Sequence, residues 1–83
     1  MTERHIKTTV NAQGLKCPMP VIKLQQAMRQ AQAGDFIAIE TTDKGAPQDI
    51  EKWAKVNKHK IFSIEITDFG HLISVQHSGL MHP

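Results

Sequence analysis

The chemistry in this sequence centres on one cysteine. Cys17 stands in "GLKCPMPVIKL", followed by Pro18 and, two positions on, by Pro20. A residue before proline is pushed out of the helical region, and proline is at home in the first turn of a helix, where an amide has no partner to lose. The spacing therefore predicts Cys17 as the N-cap of a helix that begins at Pro18, with the N–H of Met19 directed at the sulfur. A thiolate in that place is favoured by the helix macrodipole, and Lys16 and Lys23 add positive potential, so a lowered thiol pKa is expected. With no second cysteine to resolve a mixed disulfide, and no local histidine and asparagine arrangement, the pattern speaks against a dithiol oxidoreductase and a papain-like protease. A lone cysteine can also be a small packing residue. Cys17, however, lies off the apolar stripe and next to polar "QGLK", which favours a sulfur that accepts a group and hands it on.

The elements that must hold this thiol can be read from hydrophobic periodicity. The 83 residues, 40% apolar and 22% charged, suit one compact domain over residues 1–83. "HIKTTV", residues 5–10, reads as a first strand. Val21, Leu24, Met28 and Ala31 recur at helical spacing and predict a helix over 18–32 that stops at Gly34. "DFIAIETT" reads as a strand near the middle of a sheet. Ile50, Trp53, Ala54 and Asn57 then share one face of a second helix, with Trp53 as its core anchor, capped at Ala46 with Pro47 in the first position. "KIFSIEIT" and "HLISVQHS" form a closing hairpin in which Phe62, Ile64 and Ile66 share a face. The order βαβαββ predicts an α/β (α+β) two-layer sandwich: a mixed four-stranded sheet with both helices on one face.

Charge is unevenly spread. Residues 1–33 hold Arg4, Lys7, Lys16, Lys23 and Arg29 against Glu3, whereas the rest holds five lysines against seven carboxylates. The positive field thus falls on the segment with the thiol and suits an acidic partner or an anionic sulfur compound. His5, His59, His71, His77 and His82 show no metal-ligand spacing, so no metal or other cofactor is expected and the histidines read as surface residues. "KWAKVNKHK" lacks aromatic interleaving and is broken by Asp49 and Glu51 nearby, which makes direct nucleic-acid binding an unfavourable reading. Asp49 reads as a helix-start carboxylate, and Asp43 is open between that role and contact with a partner. No apolar run reaches the roughly 20 residues of a membrane span, and the free thiol fits the cytoplasm.

At these residues the chain resembles the TusA family of small sulfur carriers, also called SirA-like. The resemblance rests on Gly14, Cys17, Pro18 and Pro20 in "GLKCPMP", on Gly34 and Asp43, on "DIEKW" from Asp49 to Trp53, and on the terminal hairpin. It implies a sulfurtransferase-type carrier in which Cys17 bears a persulfide, supported by Gly14, Lys16, Pro18, Met19, Pro20 and Lys23. The partners implied are a sulfur donor protein (cysteine desulfurase, rhodanese-like or DsrE-like) and an acceptor protein, in tRNA thiolation, cofactor sulfuration or sulfur-compound metabolism. Asn11, Asp43-Lys44 and the tail "HSGLMHP" depart from the common family pattern, so no branch is assigned. The alternative from the residues alone is a non-catalytic regulatory or nucleic-acid-interacting domain with a structural cysteine, and selenium is an alternative cargo for the same residue.

Overall fold

The structure, a computed structural model, describes residues 6–79. Six elements follow in the order β1 (Ile6–Ala12), α1 (Met19–Arg29), β2 (Phe36–Thr41), α2 (Ala46–Val56), β3 (Lys60–Ile66) and β4 (His71–Gln76). The strands form one sheet in the order β1-β2-β4-β3. β1 runs parallel to β2, while β4 pairs antiparallel with both β2 and β3. β1, β2 and β3 therefore share a direction and β4 is inserted between two of them. This is the mixed sheet of a two-layer sandwich, with β2 in its middle as the uninterrupted β-branched run implied.

Both helices pack on one face because their apolar stripes have only that face to cover. Leu24 and Met28 of α1 and Ile50 of α2 are fully buried against Ile37, Ile39, Ile73 and Val75 of the two central strands. Val21, Ala31 and Trp53 close the margin of the same cluster, half-buried. Removing this apolar surface from water is the main favourable term in the fold.

Four local expectations are corrected. α1 ends at Arg29, because Gln30 and Ala31 close it with bonds to the carbonyls of Ala27 and Met28. Gly34 is not its terminus: it lies in the turn before β2 and donates its N–H to the carbonyl of His77 at 2.8 Å. α2 is capped by Gly45, one residue earlier than expected, which leaves Pro47 inside the first turn. In β3 the register shifts between Ile61 and Ser63, so Ile61 joins the core while Phe62 turns to the opposite face, where its ring meets Phe36 edge-on at 5.4 Å. A bulge of this kind moves side chains across the sheet and is invisible to a strict alternation rule.

The histidine expectation also changes. His59 and His77 are buried, and Trp53, His59 and His77 form a stack with centroid separations of 5.1 and 4.9 Å. His59 Nδ1 accepts the N–H of Ser78, and burial together with His77 lowers the His59 pKa. His5 and His82 lie outside the described residues. Among the described residues no group of three or more His, Cys, Asp or Glu side chains is placed to hold a metal ion. Among the described residues no helix is long and apolar enough to cross a membrane.

Candidate functional site

Because β1 and β2 are parallel, the loops that follow them lie side by side at the carboxyl ends of the strands, the usual place for a site in a sheet with helical crossovers. The first loop is built tightly. The N–H of Gln13 donates to the Asn11 side chain at 3.0 Å and that of Leu15 to the Ala12 carbonyl at 3.2 Å. Gly14 takes φ +82°, a conformation that side chains disfavour, and so turns its N–H onto Thr42 Oγ1 at 2.8 Å. Gln13 Nε2 reaches Glu40 at 3.3 Å. The loop that carries the cysteine is thereby tied to the end of β2 and to the loop before α2.

The local geometry at Cys17 differs from the expected cap. The N–H of Met19 donates to the carbonyl of Lys16 at 2.8 Å, so it is not available to the sulfur. Pro18 is the N-cap and Pro20 sits buried in the first turn; Cys17 stands one residue before the cap, joined to Pro18 by a cis peptide bond. The thiol is exposed at the rim. Lys16, Pro18, Met19 and Lys23 are exposed around it. Gly14 and Pro20 shape the loop and the helix start beneath it.

The expected lowering of the thiol pKa is overturned: the Cys17 pKa is raised. Its largest cause is hydrogen bonding to the Asp49 side chain, followed by desolvation and by the negative charges of Asp49 and Asp43. Asp49 belongs to the first turn of α2, its N–H donating to the Gly45 carbonyl at 3.1 Å. Asp43 precedes the helix and its carbonyl accepts the N–H of Ala46, also at 3.1 Å. A neighbouring carboxylate disfavours a thiolate, and desolvation acts in the same direction. Asp43, left open by the sequence, is brought to the thiol. Asp49, for which the helix-start role is the favoured reading from sequence, also acts on the sulfur. The parallel pairing of β1 with β2 is the signal that would have placed them together.

Among proteins of known family, the model for "Sulfurtransferase TusA" matches residues 8–76. The chain belongs to the TusA family. YrkI of Bacillus subtilis, a candidate sulfur carrier, is 36% identical over 77% of this chain and 83% of its own length. A candidate sulfur carrier of Neisseria meningitidis serogroup A is 35% identical over 83% of this chain and 93% of its own. YrkF of B. subtilis, described in the same terms, is 40% identical over 72% of this chain, but the match spans only 34% of that longer protein. In fold, this TusA-family chain is similar to the crystal structure of a SirA-like protein from Desulfitobacterium hafniense, with TM-score 0.73 at 23% identity over 87% of this chain and 97% of that one.

Proposed function

We propose that this chain is a sulfur carrier that accepts sulfane sulfur as a persulfide on Cys17 and delivers it to a partner protein. The observation that carries the reading is a single exposed thiol, presented on a braced loop at a helix start, in a chain of the TusA family. Cys17 is the sole cysteine, so a loaded sulfur has no internal thiol to resolve it and is passed on intact.

The steps balance without an added oxidant. Ionised Sγ of Cys17 attacks the outer sulfur of a donor persulfide; a new S–S bond forms on Cys17, the donor's S–S bond breaks, and the donor thiolate takes up the proton that Cys17 lost. Delivery repeats the exchange with Cys17 as the leaving group. The sulfane sulfur keeps its oxidation state throughout. Exposed Lys16 and Lys23 and the exposed side chain of Met19 supply a basic surface with an apolar contact for docking, and Asp43 offers a contact for a basic residue of the partner. Cysteine desulfurases and rhodanese-like or DsrE-like proteins are the donor classes to test. A reducing compartment such as the cytoplasm would keep the carrier thiol free.

The test is intact mass after incubation with a cysteine desulfurase plus cysteine, and separately with thiosulfate. A product one sulfur atom heavier, removed by reductant and absent from Cys17→Ser, is the expected result. Sulfur relay by Cys17→Ser at the wild-type rate would overturn the proposal.

A further inference from the structure

The face of the sheet turned away from the helices is not flat. Ile37, Ile39, Ile73 and Val75 point to the helices, so the residues between them in β2 and β4 point the other way. Strand register sorts that outer face into rows. In the middle row Thr9, Ala38, Ser74 and Ser63 stand side by side across β1, β2, β4 and β3. All four are small. At one end of this row the rings of Phe36 and Phe62 meet edge-on across β4 at 5.4 Å, brought together by the slip in β3. At the other end Leu72 stands between Glu40 and Glu65, its partners in β2 and β3. Small side chains between two taller ends leave a trough of about 360 Å³, within the range of sites for small molecules. Glu40 accepts the Nε2–H of Gln13 at 3.3 Å, which holds one carboxylate at this end. Among the described residues neither glutamate is in a salt bridge. Lys60, in the row of Phe36, is exposed and does not line the trough.

We propose that this trough binds a small organic amine, its flat apolar body lying on the small row against the two phenyl rings and its ammonium between Glu40 and Glu65. The site is separate from the Cys17 thiol and does not depend on the sulfur-carrier reading. Covering Phe36, Phe62 and Leu72 with a ring supplies the affinity. The two carboxylates supply the discrimination, because an anion of the same shape meets like charge there. Shape favours a small molecule over a second copy of the chain. Packed sheets need side chains that interdigitate across about 10 Å, and a twofold axis through the trough would set the small row against itself.

Three indoles test the proposal. Tryptamine, tryptophol and indole-3-propionate carry the same ring on the same two-carbon arm, with a positive, a neutral and a negative end. Each is titrated into the isotope-labelled full chain and followed by amide NMR shifts. Tryptamine moves the amides of Ala38, Ser63, Leu72 and Ser74 with a dissociation constant of about 1–5 mM, as expected for a ligand of this size at ordinary efficiency. Tryptophol binds about tenfold more weakly, the worth of two exposed ion pairs, and indole-3-propionate more weakly still. Glu40→Gln combined with Glu65→Gln levels the three affinities, and Ser63→Leu fills the trough and abolishes the shifts. Far-UV circular dichroism checks that the variants fold, and the surface glutamate pair keeps the test decisive if Ser63→Leu does not. Absence of shifts with tryptamine, equal affinities for the three indoles in the wild type, shifts confined to the helix face, or unaltered discrimination in the folded double variant overturns the proposal. So does sedimentation showing that a second copy closes the same face.

Discussion

Gly70 offers a sharp test of how the site is braced, because two glycines at this end of the molecule are required for different reasons. Gly70 lies in the β3–β4 turn with φ +154°, and a Cβ built there overlaps the carbonyl oxygen of Thr41 and meets Thr42 Cα at 3.0 Å. Its N–H and carbonyl are held by Thr67, so the turn cannot simply swing away. Gly14 has φ +82°, and a Cβ there meets nothing within 4 Å. Gly14→Ala thus carries the backbone penalty alone, about 1–2 kcal/mol. Gly70→Ala adds to a similar backbone strain of about 1–3 kcal/mol the cost of displacing the end of β2, again about 1–3 kcal/mol. The sum is about 2–6 kcal/mol, against a whole stability of roughly 4–12 kcal/mol for a chain of this size. Thermal unfolding reads the contrast: at about 4–8 °C per kcal/mol, Gly70→Ala melts lower than wild type by roughly 10–50 °C and Gly14→Ala by no more than about 16 °C. Urea titration gives the same order. Equal losses in the two variants would refute the close packing of the hairpin turn on Thr41 and Thr42.

Leu24 is fully buried between α1 and the sheet, and Leu24→Ala leaves a cavity that costs about 2–5 kcal/mol in urea unfolding. Lys58 follows α2 at φ 63°; Lys58→Gly removes that strain and raises stability by about 0.5–1 kcal/mol, measured as an increased urea midpoint. The folded-state pKa of His59 lies below its ordinary 6.5, so the fold prefers the neutral ring and unfolding takes up a proton. The contribution is complete above about pH 6.5 and is lost as pH falls through the lower, folded value. The urea midpoint is therefore expected to drop below pH 6.5, and the drop to be smaller in His59→Leu; an identical slope in that variant would remove His59 as its cause.

What could be read from the sequence and what could not divide along the distance over which each signal acts. Leu24, Met28, Ile50 and Ala54 declare their burial through spacing within one helix, and the structure places all four in the core. The order of strands and helices constrains the sheet through crossover rules, and Gly14 and the two prolines mark a tight turn at Cys17 by their own backbone limits. The errors lie where a second segment intervenes. Phe62 changes face because β3 slips against β4, and Met19 loses its expected acceptor because the Lys16 carbonyl takes its N–H. The charge around the thiol is the clearest case. Along the chain its near neighbours are Lys16 and Lys23, which argue for an activated thiolate. Across the fold its neighbour is Asp49, 32 positions on in the numbering, and that carboxylate reverses the sign of the shift. Sequence proximity ranks charges by chain distance, whereas Coulomb interaction and hydrogen bonding rank them by space. Parallel pairing of β1 with β2 makes the start of α2 a closer electrostatic neighbour of Cys17 than its own flanking lysines, whose long side chains extend into solvent. The expected poise of a cysteine read from its flanking residues can therefore change sign when the fold brings a distant carboxylate near it.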